Sequence, residues 1–515
     1  MSTAFLGAEP SASRTTARWS TAAPYLVLAA FCAWTFHHTV DDAFISFRYA
    51  ENFARGLGLV YNPGERVEGY SNPLWVYLLS VPALIGISVE LAAKLLGVLA
   101  ALATLLLFGR VLGRGFGVTS WVRTAGLLFL GGHISLVYYA VAGLETVLYT
   151  LLVLALHAAL LERRFALAAV AAALAAICRP EGVLLTAALA IGLLLAPERR
   201  RVFVYLALPV LVFGLQLAFR HAYYGTWVPN TYHAKSTPTL GLAALLWQQT
   251  RAFVLGTSTW ALQHLALGVL GVLGLQGMWW FRRVQPAMLV SIAGLGFFVF
   301  ISVVDWMSFG RFYLPLLPLV LVYAFAALDH VRQRAKLQPR IVHAAVGALV
   351  AFSWGSSAYE LWQLDHGETH WTAMSGRAYE APAEYMRTLG APNDLIAAPE
   401  IGVLAHVTKL RMLDLWGLTD ARIPPLLGAP DLWDQLAPDH LVPYASYVLA
   451  QHPRFVVIYV EEGRLDPLMR SLHTQMQTAG TYQLGRSFDL NSYTKLDVYV
   501  ARPASESDGP HALVR

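Results

Sequence analysis

Residues His37 to Tyr49, HHTVDDAFISFRY, follow an almost entirely apolar stretch that runs from Ala22 to Trp34. The stretch predicts a first membrane-spanning helix, since Ala22 to His38 would rise about 26 Å at 1.5 Å per residue. Asp41 and Asp42 should then lie at the membrane surface, where ionisable groups cost desolvation energy and usually serve a function. We therefore ask which other segments return to this pair.

The composition is that of a membrane protein. Of the 515 residues, 57% are hydrophobic and 13% are charged, against about 25% charged residues in a soluble domain. The net charge of +5 comes mostly from separate arginine clusters, which argues against nucleic acid as a partner. Cys32 and Cys178 both lie in apolar runs, which argues against a disulfide framework and a cysteine metal site.

Arginine asymmetry predicts the topology. Arg14 and Arg18 place the N-terminus inside, ahead of an uncleaved first helix, although a cleaved signal peptide is an alternative. The segment Pro73 to Ile87 is short for a span, and we interpret it as dipping into the outer leaflet and returning. About eleven spans result, and the chain beyond Ser357 lies outside.

The predicted fold class is a polytopic α-helical membrane protein with a C-terminal extracytoplasmic α/β domain. The tail is richer in charges and alternates short β-type runs with helix-like segments. The β-type runs are Asp394–Ala398, Phe455–Val460 and Leu496–Ala501, and the helix-like segments lie near Tyr379–Leu389 and Pro467–Gln477. The predicted divisions are a disordered cytoplasmic segment 1–20, a membrane domain 21–356 with a first outer loop 41–72, the α/β domain 357–505, and a disordered tail 506–515.

The paired aspartates allow two interpretations. A carboxylate at the membrane surface can act as a general base that accepts a proton from a sugar hydroxyl. Aspartate is also a good N-cap for a following helix. Adjacent aspartates can divide these roles between them.

Several cations lie on the predicted outer side, against the positive-inside bias, and so require an anionic partner. These candidates for binding a donor lipid phosphate are Arg48, His233, Lys235 and Arg311. The alternative is pairing with nearby carboxylates, and for Arg179-Pro180-Glu181 a salt-bridged turn is an equal explanation.

Other polar groups of the outer turns are candidates for binding sugar or acceptor. They are Glu68, Asn72, Glu145, Tyr232, Asp305 and Trp306. A tryptophan face suits a sugar ring, whereas helix capping is an equal alternative for Glu145. The segment Leu413 to Asp420 either reaches over the membrane cavity to an acceptor or forms an ordinary buried turn. The sequence has no Walker-type loop, HExxH or Gly-x-Ser-x-Gly in a suitable context, which argues against ATP-driven transport and hydrolysis.

Taken in order, these motifs resemble the GT-C class of membrane glycosyltransferases. The motifs are DDAFISFRY at 41–49, NPGERVEGYSN at 62–72, GLET at 143–146, PNTYHAK at 229–235 and DWMSFGR at 305–311. Within the class, they resemble the terminal arabinofuranosyltransferases of mycobacterial arabinogalactan and lipoarabinomannan. The chain departs from their pattern at His233, where a second tyrosine is expected, and at Ser308, where proline is more usual. These departures leave the sugar open.

The resemblance implies an inverting transfer, with arabinofuranose favoured, from a polyprenyl-phosphate sugar to a cell-envelope glycan outside the cytoplasmic membrane. It places the catalytic aspartate in the first outer loop, at Asp41 or Asp42, and later outer-loop roles at Glu145, Lys235, Asp305 and Arg311. Transfer either needs no cofactor or uses a divalent cation, Mg²⁺ or Mn²⁺, that bridges carboxylate and phosphate. The alternatives are a lipid or glycan transporter and a non-catalytic envelope assembly factor.

Overall fold

The computed structural model describes residues 14–198, 203–235, 246–247, 250–251, 254, 265–302, 307, 309–335, 338–366, 376–427 and 438–503. Up to His366 the described chain is helical, and a sheet follows. The first helix begins at Arg14, so it overlaps the predicted disordered segment 1–20, of which residues 1–13 lie outside the described residues. The predicted tail 506–515 also lies outside them.

The helices of the first part form because long apolar runs are interrupted only by short polar or glycine-containing turns. Their bounds are Arg14–Thr35, Asp41–Ala54, Pro73–Leu84, Val89–Arg110, Ser120–Gly131, Ile134–Val141, Thr146–Leu161, Phe165–Cys178, Leu184–Leu194, Ala207–Tyr224, Asn230–Lys235, Leu265–Phe281, Pro286–Ile301, Leu317–Arg334 and Pro339–His366. Short 3₁₀ turns occupy Pro180–Val183 and Phe203–Leu206, and a π-helical turn occupies Val111–Gly115.

By length and composition, three of the described helical stretches suffice to cross a membrane: Val89–Gly115, Phe203–Tyr224 and Pro339–His366. A fourth results if the bent pair Ser120–Gly131 and Ile134–Val141 counts as one span. Seven further apolar helices have 10–17 residues, among them Pro73–Leu84. Helix length alone therefore does not test the predicted count of about eleven spans or their orientation, and both stay predictions.

The predicted span Leu127 to Ala140 is broken. Its two helices meet at an angle of 51° around Gly132 and His133. Gly132 lies against Trp354, where a Cβ atom would come within 2.3 Å of the indole ring. His133 begins the second helix by accepting a hydrogen bond from the backbone N–H of Ser135 at 3.3 Å. Close packing and this cap explain the break, which apolar composition alone did not indicate.

The C-terminal part contains one five-stranded sheet. Its strands are β1 Leu395–Ala398, β2 Arg411–Asp414, β3 Phe455–Glu461, β4 Tyr482–Asp489 and β5 Thr494–Ala501. The order is β2-β1-β3-β5-β4, in which β1 runs parallel to β2 and β3, while β5 runs antiparallel to β3 and β4. Its helices are Glu380–Leu389, Gly402–Thr408, Ile423–Leu427, Val442–Ala450 and Pro467–Ala479, with 3₁₀ turns at Gly376–Tyr379 and Pro438–Leu441.

Both faces of the sheet are covered, and one of them joins the core of the helical part. Ile396 and Phe455 pack into the hydrophobic core that also contains the membrane helices. Their neighbours Ala397 and Val456 point the other way, into a second core beneath the C-terminal helices. Alternate residues of these strands thus pack into two different cores. Because both faces of the strands are buried, their sequences are continuous apolar runs.

Three of the five strands match the predicted β-type runs. The sequence did not indicate β2, which has four residues, or β4, whose side chains are mostly exposed and do not alternate. The predicted boundary between residues 356 and 357 falls inside the helix Pro339–His366, because the apolar pattern continues past it. The structure confirms the predicted combination of an α-helical part with a C-terminal α/β part.

Candidate functional site

Asp41 and Asp42 form the first turn of the helix Asp41–Ala54, here called the first-loop helix. Negative charges at this position stabilise the helix, because the N-terminal end of the helix dipole is positive. The N-cap residue is Val40, and no side chain caps the helix by a hydrogen bond. Neither aspartate is therefore the N-cap of its own helix.

Asp41 instead binds the C-terminal part of the chain. Its two carboxylate oxygens accept hydrogen bonds from the backbone N–H groups of Gly402 at 2.8 Å and Val403 at 2.7 Å. These residues begin the helix Gly402–Thr408, here called the contact helix. The side chain of Asp41 is buried, so it fixes the position of one element against another.

Gly402 makes this approach sterically feasible. A Cβ atom at residue 402 would lie 2.0 Å from the backbone oxygen of Asp41 and 2.6 Å from its Oδ2 atom. Any larger residue would push the contact helix away from the first-loop helix.

A third carboxylate joins the pair from the loop after β1. Oxygens of Asp41, Asp42 and Glu400 all lie within 4.8 Å of one another, with Asp42 and Glu400 half-buried. Burial raises the pKa of Asp41 to about 7, opposed by the Val403 N–H group and reinforced by the charge of Asp42. Burial, followed by the charges of Asp41 and Asp42, also raises the pKa of Glu400 well above its ordinary value. The cluster therefore favours a bound proton or cation.

Glu400 was not predicted as a site residue. It lies in the Pro399-Glu400-Ile401-Gly402 segment, directly after β1. Since β1 and β2 are parallel, their carboxyl ends meet at one edge of the sheet, where ligand sites commonly lie. That edge of the sheet carries both Glu400 and the segment that begins at Asp414. A correct prediction of β2 from the sequence would have indicated Glu400 as a candidate site residue.

The segment Leu413 to Asp420 forms the buried turn that was one of its two interpretations. Asp414 is buried and accepts hydrogen bonds from the backbone N–H groups of Trp416 at 3.0 Å and Thr419 at 2.9 Å. Burial raises its pKa to about 6, against these hydrogen bonds. The carbonyls of Gly417 and Leu418 accept hydrogen bonds from the Asn230 side chain, so the turn also supports the helix Asn230–Lys235.

Arg48 is held by backbone carbonyls. Its guanidinium group donates to the carbonyls of Tyr61 at 2.8 Å, Ala405 at 3.1 Å and Leu410 at 2.8 Å. It also lies over the Tyr61 ring, 4.7 Å from the centroid. These contacts give Arg48 a structural role, and its binding of a lipid phosphate stays a prediction.

Glu68 forms an ion pair with Arg220. The two buried side chains form a bidentate ion pair, with N–O distances of 2.5 and 3.2 Å. Burial raises the pKa of Glu68, and Arg220 lowers it. Glu68 therefore links the first outer loop to the helix Ala207–Tyr224, and its role in sugar binding stays a prediction.

Glu145 and Asn72 belong to another buried polar network. The Asn72 amide donates to Glu145 at 2.7 Å, and Arg179 donates to Glu145 at 2.6 Å and to Glu181 at 2.5 Å. The salt-bridged turn is thus the correct explanation for Arg179-Pro180-Glu181. Glu145 and Asn72 thus have partners within the protein, and their role in binding sugar or acceptor stays a prediction.

Six predicted ligands remain. Tyr232, His233 and Lys235 are exposed on the helix Asn230–Lys235. Arg311 is half-buried, and its guanidinium carbon lies 4.8 Å from the centroid of the Phe312 ring. Asp305 and Trp306 lie outside the described residues. The roles assigned to these six side chains stay predictions.

A polar cavity of about 540 Å³ lies between the first-loop helix and the sheet domain. Its charges are largely paired across the interface: Lys409 with Glu51 at 3.5 Å, and Arg411 with Glu65 at 2.5 Å. Arg55, also on its wall, is 3.5 Å from Glu51. The cavity is therefore a water-accessible part of the domain interface.

Known proteins match different parts of this chain. A family model described as a domain of unknown function (DUF8728) matches residues 368–505, which contain the sheet. The terminal beta-(1->2)-arabinofuranosyltransferase of Mycobacterium tuberculosis (strain ATCC 25618 / H37Rv) is 32% identical over 242 residues, covering 42% of this chain and 38% of that protein. The chain thus matches well under half the length of this curated relative.

Solved structures match nearly the whole chain. ArnT from Cupriavidus metallidurans in the apo state has a TM-score of 0.60 at 12% identity, covering 95% of this chain and 98% of ArnT. ArnT bound to undecaprenyl phosphate has a TM-score of 0.59 at 14% identity, covering 97% and 100%. At such low sequence identity the likeness shows that this chain shares the fold of ArnT.

Proposed function

We propose that this protein is an inverting glycosyltransferase that moves a sugar, with arabinofuranose favoured, from a polyprenyl-phosphate donor to a cell-envelope glycan. The reaction takes place on the outer side of the bacterial cytoplasmic membrane. The observation that carries the proposal is the carboxylate cluster Asp41, Asp42 and Glu400 at the start of the first-loop helix in a GT-C fold. The match to a terminal arabinofuranosyltransferase supports the sugar, and the ArnT complex with undecaprenyl phosphate supports the donor class.

Asp42 is the general base in this proposal. Both carboxylate oxygens of Asp41 already accept backbone hydrogen bonds, whereas Asp42 is half-buried beside it. Asp42 takes the proton of the acceptor hydroxyl, whose oxygen forms the new bond to the anomeric carbon. The bond from that carbon to the phosphate oxygen breaks, and polyprenyl phosphate leaves with the electron pair. Asp41 is a positioning residue that fixes the first turn of the helix.

The leaving phosphate needs a cationic partner. Since Arg48 is held by backbone carbonyls, the remaining candidates are His233, Lys235 and Arg311. A phosphate ester leaves without prior protonation, so no general acid is required. Tyr232, Asp305 and Trp306 remain candidates for the sugar and acceptor.

The carboxylate cluster also fits a divalent cation. Carboxylate oxygens from three residues are the hard ligands that Mg²⁺ and Mn²⁺ prefer. Asp42 and Glu400 would hold the ion, with Asp41 contributing a remaining lone pair. When bound, such an ion neutralises negative charge near the donor phosphate. Chelation should then lower transfer, and restored activity on adding Mg²⁺ or Mn²⁺ would identify the metal.

The decisive experiment measures sugar transfer by the purified full chain from a panel of radiolabelled polyprenyl-phosphate sugars, with arabinose first and hexoses next. Asp42→Asn should lower transfer by at least ~100-fold, as expected on removing a general base, while donor binding persists. Glu384→Gln, which alters an exposed ion pair with Arg387, is the matched control. Undiminished transfer by Asp42→Asn would exclude Asp42 as the base.

The same assay separates the alternative functions. A lipid or glycan transporter would move the labelled lipid across a vesicle membrane without breaking its sugar–phosphate bond. A non-catalytic assembly factor would bind a partner without either activity. Transfer of label to a glycan supports the enzyme and contradicts both alternatives.

A further inference from the structure

A second polar cluster lies where the first helix of the chain ends. His37 and His38 follow the helix Arg14–Thr35, and Asp365 lies in the last turn of the helix Pro339–His366. The Nε2 atoms of both rings face one oxygen of Asp365, at 2.7 Å from His37 and 2.9 Å from His38. One carboxylate oxygen therefore meets two imidazole nitrogens.

His38 is the unusual member of this cluster. Its side chain is 6% exposed, and among the described residues neither ring nitrogen has a hydrogen-bond partner of acceptable geometry. The Nε2 atom has only the charged contact with Asp365 at 2.9 Å, and the Nδ1 atom has no partner among the described residues. A buried polar group without a partner costs about 1–3 kcal/mol, so the arrangement calls for a further ligand.

The turn that presents the histidines is held in place. The His38 backbone N–H donates to the Thr35 carbonyl at 3.0 Å, which closes the turn. The Lys94 ammonium group donates to the Phe36 carbonyl at 2.8 Å. The two rings lie side by side, with centroids 4.1 Å apart. Their position thus results from the fold around them.

We propose that His37, His38 and Asp365 bind one transition-metal ion of the Zn²⁺ class. Two imidazoles and one carboxylate are a common protein ligand set for Zn²⁺, with a fourth position left for water. The candidate ligand atoms lie within 4.8 Å of one another. At Zn–N and Zn–O distances of about 2.0–2.1 Å, a tetrahedral site needs ligands about 3.3 Å apart. The present 2.7 and 2.9 Å would have to widen by about half an ångström, which small side-chain rotations supply.

The surroundings suit this ligand. His37 and Asp365 are partly exposed, with side chains 29% and 18% accessible, so an ion can reach the cluster from one side. The second Asp365 oxygen and the exposed side leave room for water in the coordination shell. The ion would join the turn before Asp41 to the helix that leads towards the sheet domain. Its role would be to hold these two segments together.

Zn²⁺ itself is the probe. The purified full chain is treated with chelator, exchanged into chelator-free buffer and titrated with Zn²⁺ by calorimetry, with the midpoint of thermal unfolding followed in parallel. One ion should bind per chain at this site and raise the midpoint by a few degrees. His38→Ala and Asp365→Asn should each weaken binding at least tenfold. His221→Ala removes an exposed histidine stacked on Trp227 and should bind like the wild type.

Asp365→Asn protects the test against loss of folding. It keeps the size of the side chain and an oxygen that can accept from His37, so the metal-free protein should unfold near the wild-type temperature while the Zn²⁺-dependent increase is lost. Substituting Co²⁺ should give the visible absorption of a four-coordinate nitrogen and oxygen site in the wild type and not in Asp365→Asn. Equal Zn²⁺ affinity in the wild type and Asp365→Asn, or no binding to the wild type, overturns the proposal. These readouts do not depend on glycosyl transfer.

Discussion

Asp41 and Asp42 are neighbours in the sequence with different surroundings. Asp41 is buried against two backbone N–H groups, whereas Asp42 is half-buried. Asp41→Asn should therefore retain part of the transfer activity that Asp42→Asn loses. The asparagine amide nitrogen would face one of the two N–H groups, which should lower the free energy of unfolding by about 1–3 kcal/mol. Chemical denaturation and the transfer assay measure the two effects, and full inactivity of a well-folded Asp41→Asn would contradict the division of roles.

The raised pKa of Asp41 has a consequence for stability. An aspartate ordinarily titrates near 3.9, and in the folded protein the pKa of Asp41 is about 7. Between these pH values the folded state binds more protons than the unfolded state, so the free energy of unfolding falls as the pH rises. Thermal unfolding from pH 4.5 to 7.5 should show a steeper loss in the wild type and Glu384→Gln than in Asp41→Asn. Parallel curves for all three would show that Asp41 does not carry this pH dependence.

The sequence predicted the aspartates but not their partners, for a physical reason. Asp41 and Gly402 are 361 positions apart in the sequence. No local sequence pattern indicates which distant backbone N–H group will donate a hydrogen bond to a carboxylate. The same applies to Arg48, which binds backbone carbonyls, and to Glu68, which binds Arg220. A buried charge requires a partner within the fold. A charged residue on an outer loop can therefore have a structural partner, and its charge alone does not identify it as a ligand-binding residue.

At the scale of elements, apolar periodicity was sufficient for the helices of the first part and for β1, β3 and β5. It failed at the Gly132 break, where packing against Trp354 sets the geometry. It also failed at β2, which has four residues, and at β4, whose side chains are mostly exposed. Short or exposed elements depend on tertiary contacts, and these contacts determine the edge of the sheet that carries Glu400.

The contact helix depends on Gly402. Gly402→Ala places a Cβ atom 2.0 Å from the Asp41 backbone oxygen, so the helix must move and both hydrogen bonds to Asp41 must lengthen. Transfer should fall at least tenfold with a lower midpoint of thermal unfolding, although Gly402 bears no functional group. Gly355→Ala is the control, since nothing lies within 4 Å of a Cβ atom there and alanine favours a helix. Equal activity of both variants would show that the contact helix does not position Asp41.

The ion pair between Glu68 and Arg220 joins a loop to a membrane helix. Glu68→Gln leaves Arg220 with a neutral partner in a buried site, and breaking a buried pair in this way costs about 3–5 kcal/mol. Thermal unfolding should show this loss, and the double variant Glu68→Leu with Arg220→Met should recover much of it because no charge is left buried. A double variant less stable than Glu68→Gln would indicate that the site needs the charges for another reason.

At the scale of the whole molecule, the first-loop helix is held between the membrane helices and the sheet domain. One face of the sheet shares a hydrophobic core with the helical part. Asp41 and Arg48 bind opposite ends of the contact helix, with the carboxylate at its N–H end and the guanidinium at its carbonyl end. This match of charge to the helix dipole stabilises the arrangement. The candidate base is therefore positioned by both parts of the chain.

Arg48 tests this arrangement most directly. Arg48→Met keeps the apolar stem but removes the hydrogen bonds to Tyr61, Ala405 and Leu410, which should lower the free energy of unfolding by about 2–4 kcal/mol, since a hydrogen bond to a charged group contributes about 1.5–3 kcal/mol. Donor affinity of the folded variant should stay within about threefold of the wild type, because the guanidinium binds protein carbonyls. Arg55→Met, on the same helix but with an exposed side chain paired only to Glu51 in the described structure, should change stability by less than about 1 kcal/mol. Equilibrium binding of a polyprenyl-phosphate sugar, together with chemical denaturation, decides the matter: a large loss of donor affinity with unchanged stability would return Arg48 to the phosphate site, whereas the opposite result establishes it as the link between the two parts of the molecule.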